Sequence, residues 1–162
     1  MSTYIIGIDP GKKGGISVVA GDGTVVEVLG MPETPKDLLE VLRDVCAYDG
    51  SVRCYLERVG GMPGNGGVSM FNFGKGYGWL EMALLALEIP TVVVTPQTWQ
   101  KMYGVGSSSI TKSTAKDKAD HKRKLKAVCQ GLFPKLGKKV TLETCDSLLI
   151  AWYGKCQERE RI

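Results

Sequence analysis

The sequence predicts an α/β domain built on one mixed five-stranded sheet flanked by helices. Three observations carry that reading. Three short apolar strands open the chain and are joined by tight glycine-bearing turns. Two more strands then alternate with helical stretches, which places helices on the sheet faces. The chain has 162 residues, 43% of them apolar and 23% charged, enough for one domain core and short for two.

Each element follows from local pattern. Residues 4–8 alternate with β-branched side chains and run into Asp9. Asp9-Pro10-Gly11-Lys12-Lys13-Gly14-Gly15 is a turn, and residues 16–20 form a second strand. Gly21-Asp22-Gly23 is a hairpin signal before a third strand over 24–29. Pro35 opens a helix through Ala47, with Leu38, Leu39, Val41, Leu42 and Val45 on its apolar side. Residues 52–56 form a fourth strand that ends at Glu57. The glycine-rich stretch 58–76 reads as a long loop, a length usually reserved for function. A helix is expected over 77–87 and a fifth strand over 91–94. Residues 104–114 read as a flexible Gly/Ser/Thr connection, 116–132 as a basic helix, and 142–153 as a last helix stopped by Gly154.

Several function classes drop out. The apolar run 82–87, which no other exceeds, is far below the roughly 20 residues needed to span a bilayer. The N-terminus enters a strand pattern at once, so no targeting peptide is expected and the expected location is the cytoplasm. The five cysteines are scattered with no CxxC pair, which argues against a zinc ribbon or a redox dithiol. No Walker A spacing occurs around Gly74-Lys75-Gly76.

Charge is unevenly spread. Residues 1–81 hold 7 Lys/Arg against 10 Asp/Glu, whereas 82–162 hold 14 against 7. Within 101–139 there are 11 Lys/Arg and only Asp117 and Asp120 opposing them. A density of that kind raises the local potential and favours a polyanion.

Four carboxylates stand at places that suggest chemistry. Asp9 closes the first strand and Glu57 the fourth, while Glu143 and Asp146 lie three apart on the expected last helix and so share a face. Neighbouring first and fourth strands, crossed at their ends by that helix, would bring all four together. Like charges held that close need a cation, and an all-oxygen set suits Mg²⁺ or Mn²⁺. Two such ions can activate a water and stabilise the leaving oxygen of a phosphodiester.

With those residues in view, the sequence resembles the RuvC-type Holliday junction resolvases of the ribonuclease H-like superfamily, and most closely their phage and chloroplast branches. Ile5-Ile6-Gly7-Ile8-Asp9-Pro10-Gly11 is similar to the family's first strand with its metal-binding Asp. Cys54-Tyr55-Leu56-Glu57-Arg58 resembles the strand bearing the catalytic Glu. Gly74-Lys75-Gly76-Tyr77-Gly78 resembles the lead into the dimer helix, and Val94-Thr95-Pro96-Gln97-Thr98-Trp99-Gln100-Lys101 the fifth strand and its exit. Glu143-Thr144-Cys145-Asp146-Ser147-Leu148-Leu149-Ile150-Ala151 resembles the final acidic helix. Bacterial members commonly carry Asp where Glu143 stands. The resemblance covers nearly the whole chain. It implies a ribonuclease H-like domain and a homodimer that nicks symmetrically opposed strands of a four-way DNA junction. Asp9, Glu57, Glu143 and Asp146 would hold two Mg²⁺ or Mn²⁺ ions, leaving 5′-phosphate and 3′-hydroxyl ends.

The remaining surface is expected to serve DNA and a second copy. Lys12 and Lys13, in the turn after Asp9, Arg58 beside Glu57, and Lys75 are assigned to phosphates or base edges. Lys112, Lys116, Lys118, Lys122 and Arg123 supply the basic stretch, with His121 inside it. Phe71 and Phe73, in the expected loop, are candidate wedges at the junction centre. Tyr77, Trp79, Leu80, Met82 and Leu84 lie on a helix apolar nearly all round; one face packs on the sheet, and the other calls for a two-fold partner. Two other readings are a related nuclease acting on ribosomal RNA precursors and a junction-binding protein without catalysis.

Overall fold

The computed structural model describes residues 2–60, 66–106 and 114–159. The leading strands are β1 (Ser2–Asp9), β2 (Gly15–Ala20) and β3 (Val25–Gly30). They pair antiparallel as a meander, with a register shift between Val18 and Val19 where β2 meets β3. Helix α1 (Pro35–Cys46) follows, capped by the Thr34 hydroxyl, which accepts from the Asp37 amide. It leads to β4 (Gly50–Glu57), which lies parallel to β1 with Ile8 opposite Leu56. After α2 (Gly67–Ala86), β5 (Thr91–Val94) joins the outer edge of β4, also parallel. The sheet order is β3-β2-β1-β4-β5, the mixed five-stranded sheet expected from the sequence.

The strand period of two divides the core. Ile6 and Ile8 of β1, with Ile16, Val18, Cys54 and Leu56, pack against Leu38 and Leu42 of α1 and Leu80 and Leu84 of α2. Ile5, Val19 and Tyr55 face the other way, toward α3 (Pro96–Lys101), α4 (Ala115–Leu132) and α5 (Cys145–Arg159). Asp9 and Glu57 share the parity of Ile5 and Tyr55, so both carboxylates project to the α5 side of the sheet.

Helix α5 sits on β1 with no side chain between. A Cβ on Gly7 would fall 2.2 Å from the Ser147 carbonyl oxygen and 2.3 Å from the Ala151 nitrogen. One turn further, a Cβ on Gly154 would fall 2.4 Å from the Tyr55 ring. The buried hydroxyls of Ser17 and Ser147 hydrogen-bond at 2.8 Å across the same interface. These contacts fix the height of α5 over the strand that ends in Asp9.

Three expectations need correction. The stretch 58–76 is not all loop, because α2 begins at Gly67 and carries Phe71 and Phe73 in its first turns. Three interior glycines, Gly74, Gly76 and Gly78, each about 1 kcal/mol worse than Ala in a helix, hide it from a local reading. Its C-terminal half is anchored by Leu80 and Leu84, so packing decides. Gly154 does not stop α5, which runs on to Arg159; the glycine is there for close contact with Tyr55. Glu143 is not on that helix. It lies in the turn before it, where its own amide and that of Thr144 donate to the Thr141 hydroxyl. Helix α3 and the short 3-10 segment Pro134–Lys139, kinked at Gly137, have no counterpart in the sequence reading. Among the described residues no helix is long and apolar enough to cross a membrane.

Candidate active site

Asp9 and Glu57 end adjacent parallel strands and share a face, so the register alone sets them side by side. Asp146, in the first turn of α5, is brought over them by the Gly7 contact one residue further along the helix. The three carboxylates feel one another. Burial first, and then the Asp146 charge, pushes the Asp9 carboxyl up to about 7. Burial and the Asp9 charge push Glu57 up to about 8.

Among the described residues one cation meets this cluster. Lys122 of α4 donates to Asp146 Oδ2, and its Nζ lies 3.5 Å from Asp9 Oδ2. Burial alone would lower its ammonium, but the charges of Asp146 and Asp9 outweigh that and hold it above the usual lysine range. A neutral donor faces Glu57: Trp99 Nε1 donates to Glu57 Oε2 at 2.7 Å. The thiol of Cys145 contacts Asp146 Oδ1 at 3.3 Å. Burial, then Asp146, pushes that thiol well above its ordinary value, so it stays protonated and inert as a nucleophile.

The expected ligand set is therefore brought together in part. Asp9, Glu57 and Asp146 converge; Glu143 is exposed, with Oε2 3.9 Å from the point where a Gly30 Cβ would stand. Among the described residues no three His, Cys, Asp or Glu side chains are drawn tightly enough to hold an ion as they stand. The donor chemistry nevertheless fits a hard divalent cation: the three acids offer only oxygens, and burial and mutual repulsion raise two of them out of the usual carboxylate range.

The basic residues surround this centre unevenly. Lys12 and Lys13 are exposed in the turn that leaves Asp9, and Arg58 is exposed next to Glu57. Lys116 and Lys118 are exposed on the first turns of α4, which starts from a capping box between Thr114 and Asp117. Lys122 lies one turn beyond Lys118, inside the carboxylate cluster rather than on the open surface. Arg123 pairs with Asp120 at 2.9 Å. His121 is tied to the Gln100 side chain at 3.0 Å. Lys112 lies outside the described residues.

Helix α2 separates its predicted residues. Leu80 and Leu84 are buried in the chain's own core and present no surface, a correction to their placement at a dimer contact. Tyr77 and Trp79 pack against that core and are partly buried, with Lys75 Nζ 5.3 Å above the Trp79 ring. Met82 is exposed, and so are Val68, Phe71 and Leu85; the spacings of three, eleven and three residues keep them on one side of the helix. Phe73 lies close to Gly11, two residues beyond Asp9, whereas Phe71 is 69% exposed.

The sequence reading missed Trp99 as a partner of Glu57 and Lys122 as a partner of the acids. The only local signal was a Trp four residues after Thr95, on a helix begun by Pro96.

Two solved structures superpose on nearly the whole chain. T. thermophilus RuvC in complex with a Holliday junction substrate matches with a TM-score of 0.67 over 98% of this chain and 96% of that one, at 16% identity. The chain has the RuvC fold. A second Thermus thermophilus RuvC structure matches with a TM-score of 0.61, at the same coverage and identity. No family model matches the chain, and no curated protein matches it in sequence. At 16% identity the likeness speaks for the fold: a mixed five-stranded sheet with helices on its faces.

Proposed function

We propose that this protein is a divalent-metal-dependent endonuclease that resolves four-way DNA junctions. The observation that carries the reading is the convergence of Asp9, Glu57 and Asp146 at the carboxyl ends of β1 and β4, beneath the basic helix α4. Ligands of open α/β sheets bind at such strand ends. The substrate class is drawn from the neighbour that holds a Holliday junction and from the basic surface around the site.

Asp9, Glu57 and Asp146 would hold Mg²⁺ or Mn²⁺, with Glu143 outside the set. Bound there, a divalent cation supplies the positive charge that stabilises phosphodiester hydrolysis. The chain's own residues do the rest. Lys12, Lys13, Arg58, Lys116 and Lys118 bind the phosphate backbone and orient the strand over the acids. Phe71, the open ring of the two, is the wedge at the junction centre. Val68, Met82 and Leu85 cover the matching face of a second copy, so that two sites meet a two-fold substrate.

The test is cleavage of a synthetic mobile junction in Mg²⁺, beside linear duplex and structured RNA. Paired nicks at the crossover are expected, with at least ~100-fold loss in Asp9→Asn and in Asp146→Asn. Undiminished cleavage by either variant sinks the mechanism, and preferential cleavage of structured RNA moves the substrate to RNA.

A further inference from the structure

We infer that Trp99 is a positioning residue that fixes Glu57 for metal binding by holding one carboxylate oxygen and leaving the other open. The inference rests on the metal-site reading above and adds a residue to it.

Trp99 is fully buried, and its Nε1 donates to Glu57 Oε2 at 2.7 Å. Among the described residues no hydrogen bond is made to Glu57 Oε1. An indole N–H is a donor only, and it carries no charge. It can orient a carboxylate without neutralising it, whereas a Lys or Arg in the same place would compete with the cation. Metal-binding carboxylates commonly rely on such outer hydrogen bonds for their orientation.

The tryptophan is itself tightly placed. Helix α3 begins at Pro96 under the Thr95 cap, whose hydroxyl accepts from the Thr98 amide at 3.2 Å. The Trp99 ring meets Tyr103 edge-on, with centroids 6.2 Å apart. The Tyr103 hydroxyl donates to the Leu149 carbonyl, one turn beyond Asp146 on α5. Gln100, next to Trp99, bonds His121 beside Lys122 on α4. Helix α3 and the turn after it thus tie together the three elements that carry Glu57, Asp146 and Lys122.

The experiment compares wild type, Trp99→Phe and Glu57→Ala by calorimetric titration with Mn²⁺ and by ¹⁵N–¹H spectra of the three indoles. Phe keeps the buried ring and removes only the donor. Wild type should bind Mn²⁺, and Trp99→Phe should bind it about 10- to 100-fold more weakly while melting within a few degrees of wild type. The Trp99 indole signal, assigned in the wild-type spectrum by through-bond correlation, should be the one displaced most in Glu57→Ala, a readout that needs no folded Phe variant. Mn²⁺ affinity of Trp99→Phe within twofold of wild type, with Glu57→Ala impaired, overturns the role of Trp99 and leaves the metal site standing. An undisplaced Trp99 signal in Glu57→Ala overturns it as well. Equal Mn²⁺ binding by wild type and Glu57→Ala removes the metal site at Glu57 itself, and the inference falls with it.

Discussion

Lys122 joins Asp9 to Asp146: its ammonium donates to Asp146 Oδ2 and stands 3.5 Å from Asp9 Oδ2. A lysine bound this way balances charge that strand and helix have forced together. Removing one partner of a largely buried pair leaves the others uncompensated. Lys122→Met, which keeps most of the stem, should therefore destabilise the protein in EDTA by about 1–3 kcal/mol, a figure reduced for its part exposure. Saturating Mg²⁺ should recover most of that loss. Thermal unfolding of both proteins, with and without Mg²⁺, checks it; an unchanged melting temperature in EDTA counts against the compensation.

The same acids predict a pH dependence. Asp9 and Glu57 are raised in the folded chain to about 7 and about 8, above the roughly 4 of an unfolded carboxylate. The unfolded chain therefore releases these protons first. Their contribution is complete below about pH 4 and is lost as pH climbs through 7 to 8. Metal-free protein should lose melting temperature between pH 5 and 8, and Glu57→Gln, which has no proton to lose there, should lose less. Equal slopes for the two proteins would refute the assignment.

The two sides of α2 predict opposite outcomes. Leu80 is buried against the sheet, so Leu80→Ala should cost about 2–5 kcal/mol of stability. Leu85 is 72% exposed, and Leu85→Glu should leave the melting temperature within a few degrees while shifting sedimentation from dimer to monomer. A monomeric wild type would remove this face as a contact between copies.

The phenylalanines divide in the same way. Phe71 is open, and Phe73 rests near Gly11 beside the site. Phe71→Ala should keep Mn²⁺ binding and lose junction cleavage about tenfold or more, since a wedge offsets unstacking of a few kcal/mol. Cleavage rates on a junction and on a pre-nicked flap report the difference. Equal losses on both substrates would argue against a wedge.

How far the sequence disclosed this arrangement depended on where the deciding interaction lay. Asp9 and Glu57 were legible because strand period and strand ends are local, and the parallel register of β1 and β4 does the rest. Asp146 was legible as a first-turn acid of an apolar helix. Glu143 was misplaced because the Thr141–Thr144 hydrogen bonds delay the helix beyond it. Gly154 looked like a stop signal because its partner, Tyr55, is about a hundred residues away in the chain. The N-terminal half of α2 was hidden by glycines whose cost is met by packing further along the helix. Trp99 and Lys122 could not be paired with their acids from spacing, since each meets its partner only through tertiary contact.

The seat of α5 on bare backbone has a consequence for how the protein tolerates change. Ile6 and Ile8 face side chains that can shift, and such positions accept neighbouring apolar volumes with modest loss. Gly7, between them, faces the Ser147 carbonyl and the Ala151 amide, which cannot yield without lifting the whole helix and Asp146 with it. In a library randomised at all three positions and selected for function, 6 and 8 should return a mixture of aliphatic residues. Position 7 should return glycine alone.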